Sequence, residues 1–100
     1  MSERKLLDAD QLSAAVAGLD GWKADGTWLK RRLEFSNFAE SLAFVNRVGE
    51  LAEAADHHPD ITFGWGYAEI ALTTHDRGGV TDVDISLASE INELQRSYVP

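Results

Sequence analysis

Apolar positions recur along this chain with a helical period, then with strand-like alternation, and the two patterns take turns. Leu12, Val16 and Leu19 share one face behind Asp8 or Asp10, either of which suits an N-cap, and the stretch stops near Gly18 and Gly21. Trp22-Lys23-Ala24, a turn at Asp25-Gly26, and the run Thr27 to Phe35 then read as a hairpin. In its second arm Leu29, Leu33 and Phe35 oppose Trp28, Lys30, Arg32 and Glu34. Ser36 is placed to cap a long helix with the stripe Phe38, Leu42, Val45, Val48 or Gly49, Ala52 and Ala55. Pro59 ends that helix by His58 at the latest, because a proline disfavours helical backbone in the residue before it.

A second hairpin is expected from Ile61–Trp65 and Tyr67–His75, hinged at Gly64 or Gly66, with Ala68, Ile70 and Leu72 on one face. After Gly78-Gly79, the pattern Thr81-Asp-Val-Asp84 resembles a capping box and opens a last helix with the stripe Val83, Leu87, Ile91, Leu94. The order helix, two strands, helix, two strands, helix predicts an α+β fold: a four-stranded antiparallel sheet with helices packed on one face. Trp22, Phe38 and Phe44 are expected in its core.

Composition narrows the class. One hundred residues suit a single domain over 1–100. A formal net charge of −8 speaks against nucleic acid or an anionic membrane as a partner. Without cysteine there is neither a disulfide framework nor a thiolate metal site. With no apolar leader or spanning run, a cytoplasmic protein is expected.

The chemistry concentrates in one stretch. All three histidines, His57, His58 and His75, fall between the long helix and the last one, among the carboxylates Glu53, Asp56, Asp60, Asp76 and Asp84. Imidazole exchanges protons near neutrality, so such a cluster suits acid–base work. Glu53, one helical turn before His57, is a candidate to orient that ring. Asp84 has a structural job as the third residue of the last helix, and a functional role is the open alternative. Trp65, between two glycines, is either a wall for a planar substrate or an ordinary strand aromatic. Three histidines can hold zinc. Here the HExxH spacing is absent and adjacent histidines point apart, so no metal is expected.

Glu53-Ala-Ala-Asp-His57-His58-Pro59, five residues to Trp65, nine more to His75 and eight more to Asp84 resemble the signature of the pterin-4a-carbinolamine dehydratases. Gly21-Trp22, Leu72-Thr73-Thr74-His75, Gly79-Val80-Thr81 and Asp84-Ile85-Ser86-Leu87-Ala88 agree with it, so the likeness runs from about Leu12 to Leu94. One departure is Gly64-Trp65-Gly66, where many members carry Val-Tyr-Asn; paired glycines imply a looser or more twisted strand.

The resemblance implies dehydration of 4a-hydroxytetrahydrobiopterin to quinonoid dihydropterin plus water, within tetrahydrobiopterin recycling, with no cofactor and no metal. By motif, His57, His58 and His75 form the catalytic set: His57 and His75 as the acid–base pair, His58 binding and orienting the pterin. Substrate contacts are implied for His57, His58, Pro59, Thr74, His75, Asp76 and Arg77, with Glu53, Asp84 and Trp65 supporting. A homodimer or homotetramer and a functional link to an aromatic amino-acid hydroxylase are further implications. The alternative is a non-enzymatic binding module, a dimerisation cofactor or assembly factor on the same fold.

Overall fold

The computed structural model describes residues 4–97. Its elements run α1 (Ala9–Ala17), β1 (Lys23–Asp25), β2 (Trp28–Glu34), α2 (Phe38–Ala55), β3 (Asp60–Gly64), β4 (Tyr67–Leu72) and α3 (Asp82–Ser97). A single 3-10 turn, His75–Arg77, stands between β4 and α3. The strands form one antiparallel sheet in the order β1-β2-β4-β3. The α+β order read from the sequence is therefore the order found.

Alternation along the strands decides which face is covered. Leu29, Leu33, Ala68, Ile70 and Leu72 are buried, whereas Lys30, Arg32, Glu34 and Glu69 project into solvent from the other face. Against the buried face pack Phe44, Val48 and Ala52 of α2 and Leu87, Ala88 and Ile91 of α3, together with Leu19 and Trp22. On the open face Arg32 pairs with Glu34 and Glu69 and covers the Tyr67 ring. The hydrogen bond to Glu34 is the main reason this guanidinium holds its proton more tightly than usual. A groove of about 700 Å³ crosses that face over Ala71, flanked by Lys30, Arg32, Asp60 and Thr62, and none of the histidines lines it.

Local chemistry explains the element ends, and moves several of them. Asp8 and Gln11 form a reciprocal capping box on α1. Asn37, not Ser36, caps α2: its side chain accepts from Glu40 N–H at 2.9 Å, while the Glu40 carboxylate reaches back to Ser36 N–H. Asn is as good a cap as Ser, and the glutamate three residues on selects it. The first turn is Gly26-Thr27, one residue later than expected, with Gly26 at φ 61°. Trp65-Gly66 closes the second hairpin. There Gly66 adopts φ 80°, and a Cβ on Gly64 would sit 2.8 Å from the Tyr67 ring. The two glycines serve a tight turn rather than a loosened strand.

The expected α2 stripe is the second correction. Val48 and Ala52 of that stripe do enter the core, but its N-terminal half is replaced there by Ser41 and Phe44. Phe38 and Leu42 stay 45% and 39% exposed. Phe38 lies on the ring of Phe63 beside β3, the edge strand, rather than in the core. The helix is apolar around more than one face, and periodicity alone cannot rank two adjoining stripes. Among the described residues no helix is long and apolar enough to cross a membrane.

Candidate active site

The histidine doublet is delivered by the way α2 ends. Asp56 adopts the left-handed conformation at φ 50°, its N–H bonds Glu53 C=O, and His57 N–H bonds Ala52 C=O at 3.1 Å. That pair of bonds is a Schellman closure, which turns the chain sharply out of the helix. Consecutive residues consequently face opposite ways. His57 turns inward and is 5% exposed. His58 turns outward, its side chain 58% exposed, and its Nε2 pairs with Glu53. The sequence reading assigned Glu53 to His57. The Schellman turn reverses this and gives Glu53 to His58.

The partner of His57 is Asp84. Its Nε2 meets Oδ1 of this fully buried carboxylate in the first turn of α3. The other oxygen, Oδ2, accepts from Thr74 Oγ1 at 2.9 Å and from Thr81 N–H at 2.9 Å. Thr81 Oγ1 lies 2.8 Å from Thr74 Oγ1 and completes the cluster. The backward half of the predicted capping box is thus present, while the Thr81 hydroxyl serves Thr74 instead. A buried carboxylate needs its lone pairs filled, and here donors from three separate segments fill them. Asp84 is at once an N-terminal helix residue and the hub of the site.

His75 follows Thr74 and opens the 3-10 turn that closes at Gly78, φ 76°. It lies beyond β4, not on it as the sequence suggested. The ring is exposed and meets Trp28 edge-on at 5.6 Å between centroids. Thr74 is buried, and its N–H bonds Gly79 C=O while its own C=O accepts from Arg77 and Gly78. Asp76 and Arg77 are exposed beside it. The chain His57–Asp84–Thr74 therefore ties the α2 exit, which carries His58, to the 3-10 turn, which carries His75.

Two residues of this corner escaped the sequence reading. Trp28, expected only on the face of its strand opposite Leu29, lies far from His75 in sequence. Arg4 donates from Nη2 to Asp56 C=O at 2.7 Å, and its Nη1 lies 3.4 Å from His57 Nδ1. No local spacing signals either contact. Trp65, conversely, is not brought to the histidines. It is 71% exposed in the β3–β4 turn, and the five-residue strand β3 separates it from Pro59 by roughly 17 Å. Among the described residues no group of three or more His, Asp or Glu side chains is arranged to hold a metal ion.

A small α+β protein with two outward imidazoles braced on a buried His–Asp pair is the class that the fold and this corner define. Residues 5–94 match the family model described as pterin 4 alpha carbinolamine dehydratase. The chain belongs to that family. It is 47% identical over 88 residues to a Thermomicrobium roseum protein named "Putative pterin-4-alpha-carbinolamine dehydratase", covering 88% of this chain and 95% of the relative. A like-named protein of Thermosynechococcus vestitus is 45% identical, covering 94% and 97%. Among solved structures, a transcriptional coactivator/pterin dehydratase from Brucella melitensis superposes with a TM-score of 0.84 at 31% identity, over 89% of this chain and 97% of that one. A pterin dehydratase-like protein identified as a RuBisCO assembly factor in the alpha-carboxysome gives 0.60 at 26% identity, over 73% and 84%.

Proposed function

We propose that this protein dehydrates a 4a-hydroxytetrahydropterin, and that its histidine corner supplies the acid and the base. The reaction breaks the C4a–O bond and the N5–H bond, and the N5 electron pair forms the C4a=N5 double bond. The departing oxygen takes a proton and leaves as water, so the products are water and the quinonoid dihydropterin. One imidazolium gives the oxygen its proton and one neutral imidazole accepts the proton of N5. No metal or organic cofactor is needed for this balance. In a cell the reaction serves tetrahydrobiopterin recycling, alongside an aromatic amino-acid hydroxylase.

The observation that carries the reading is Asp84. By binding His57 through one oxygen and Thr74 through the other, it holds the doublet and His75 in a common frame. Burial favours a different division of roles from the His57–His75 pair that the resemblance implies. His58 and His75 are open to a ligand and form the exchanging pair, whereas His57, with protein groups at both ring nitrogens, orients the turn. Pro59, Asp76 and Arg77 border the pterin, and Thr74 contributes through its hold on Asp84.

Titration of the 15N-labelled protein with biopterin tests this. Amide shifts at His57, His58, His75, Asp76 and Arg77 are expected; a protein whose amides ignore the pterin contradicts the reading.

The second reading, a protein-binding module, draws on a separate surface. Phe38 and Leu42 are partly exposed beside the edge strand β3, and Trp65 is exposed in the turn that ends it. That face suits a homodimer or homotetramer or a protein partner. It leaves the histidine corner intact, so the two readings are compatible.

A further inference from the structure

The segment before α1 is stitched across the elements that carry the three histidines. Leu7 N–H bonds Val80 C=O at 3.1 Å, and Leu6 bridges Thr81. Lys5 N–H bonds the Asp82 carboxylate at 2.9 Å, and Asp82 N–H bonds Lys5 C=O at 3.3 Å. Arg77, at the end of the 3-10 turn, donates from Nε to Arg4 C=O at 2.9 Å. On the far side of Arg4, the guanidinium fork spans the α2 exit, with Nη2 on Asp56 C=O and Nη1 by His57 Nδ1. One residue thereby links the α2 exit, which presents His58, to the turn bearing His75.

Donor and acceptor chemistry makes this contact informative. A guanidinium has donors only, so His57 Nδ1 must be the acceptor where it faces Arg4. The ring proton then resides on Nε2, which is the nitrogen that meets the Asp84 carboxylate, an acceptor. Arg4 and Asp84 approach opposite sides of the ring from distant parts of the chain and require the same tautomer. We propose, building on the acid–base reading of this corner, that Arg4 is a positioning residue: it fixes the His57 tautomer and clamps the turn that presents His58 to substrate.

The test combines turnover of a synthetic 4a-hydroxytetrahydropterin with long-range 1H–15N spectra of the imidazoles, in wild type, Arg4→Ala and Arg4→Lys. Arg4→Ala is expected to move the His57 Nδ1 resonance away from its wild-type position and to lower kcat about tenfold, with KM changed by less than about twofold. Arg4→Lys keeps the charge but has no fork, so it recovers one contact and only part of kcat. It also carries the test if Arg4→Ala loses its fold. Wild-type kcat with unmoved His57 nitrogens in a folded variant overturns the proposal. A wild-type protein inert toward the pterin overturns the dehydratase reading instead, and the nitrogen resonances then decide Arg4's hold on His57 by themselves.

Discussion

Two adjacent imidazoles in this protein live in opposite environments, and their substitution should separate folding from chemistry. Replacing His57 by alanine leaves the Asp84 carboxylate buried with its Nε2–H donor removed, which costs about 3 kcal/mol. His57→Ala should therefore shift the urea midpoint strongly as well as lowering turnover. His58→Ala and His75→Ala remove exposed rings, so their urea midpoints should stay near wild type while turnover falls by about two to four orders of magnitude. Asp84→Asn sets an amide where every neighbour is a donor, and should also cost about 2–3 kcal/mol in urea unfolding. At this scale the sequence exposed the reactive residue types but not their pairing. A turn's spacing favoured Glu53 for His57, yet the left-handed residue Asp56 rotates that ring inward. Its true partner lies in α3, where no local rule points.

At the scale of elements, the end of α2 stores strain that a substitution can release. Asp56 adopts φ 50°, a region that disfavours any residue with a Cβ, and its carboxylate sits at the negative end of the helix dipole. Asp56→Gly should stabilise the protein by about 0.5–1 kcal/mol, after the extra chain entropy of glycine is counted. Calorimetry should show Tm rising by about 4 °C. A wild-type Tm would mean that the aspartate side chain has a compensating role. Element type and order were legible here because each segment has a clear period and a boundary residue. Boundaries were less so. Ser36 and Asn37 are equally good caps in isolation, and only the reach of Glu40 separates them. The α2 stripe slipped for a related reason: Phe38 and Leu42 satisfy the helical period as well as Ser41 and Phe44 do, and the position of the sheet decides between them.

Across the whole molecule, α3 carries a buried polar hub at each end, and only the first serves the chemistry. Asp84 in its first turn holds the histidine corner, while Asn92, about 12 Å further along the axis, gathers the other end. Asn92 Oδ1 accepts from the Trp22 indole at 2.8 Å and from Arg31, and its amide donates to Asp20 C=O at 3.1 Å. Burial of Arg31 weakens the hold on its proton, with Asp20 opposing and Arg96 reinforcing that effect. Its Nε is buried without a partner among the described residues, so Arg31 depends on Asn92. Asn92→Leu should cost about 2–4 kcal/mol in urea unfolding, with kcat of the folded fraction unchanged. This hub and the Arg4 strap were both invisible in the sequence, since each joins segments that only the finished fold makes neighbours. The most direct test of the central claim is stopped-flow decay of a 4a-hydroxytetrahydropterin with and without the protein, between pH 6 and 9. Catalysed decay is expected, slowed by about two to four orders of magnitude in a folded His75→Ala variant. Decay no faster than buffer alone, with wild-type protein shown to be folded, would contradict it.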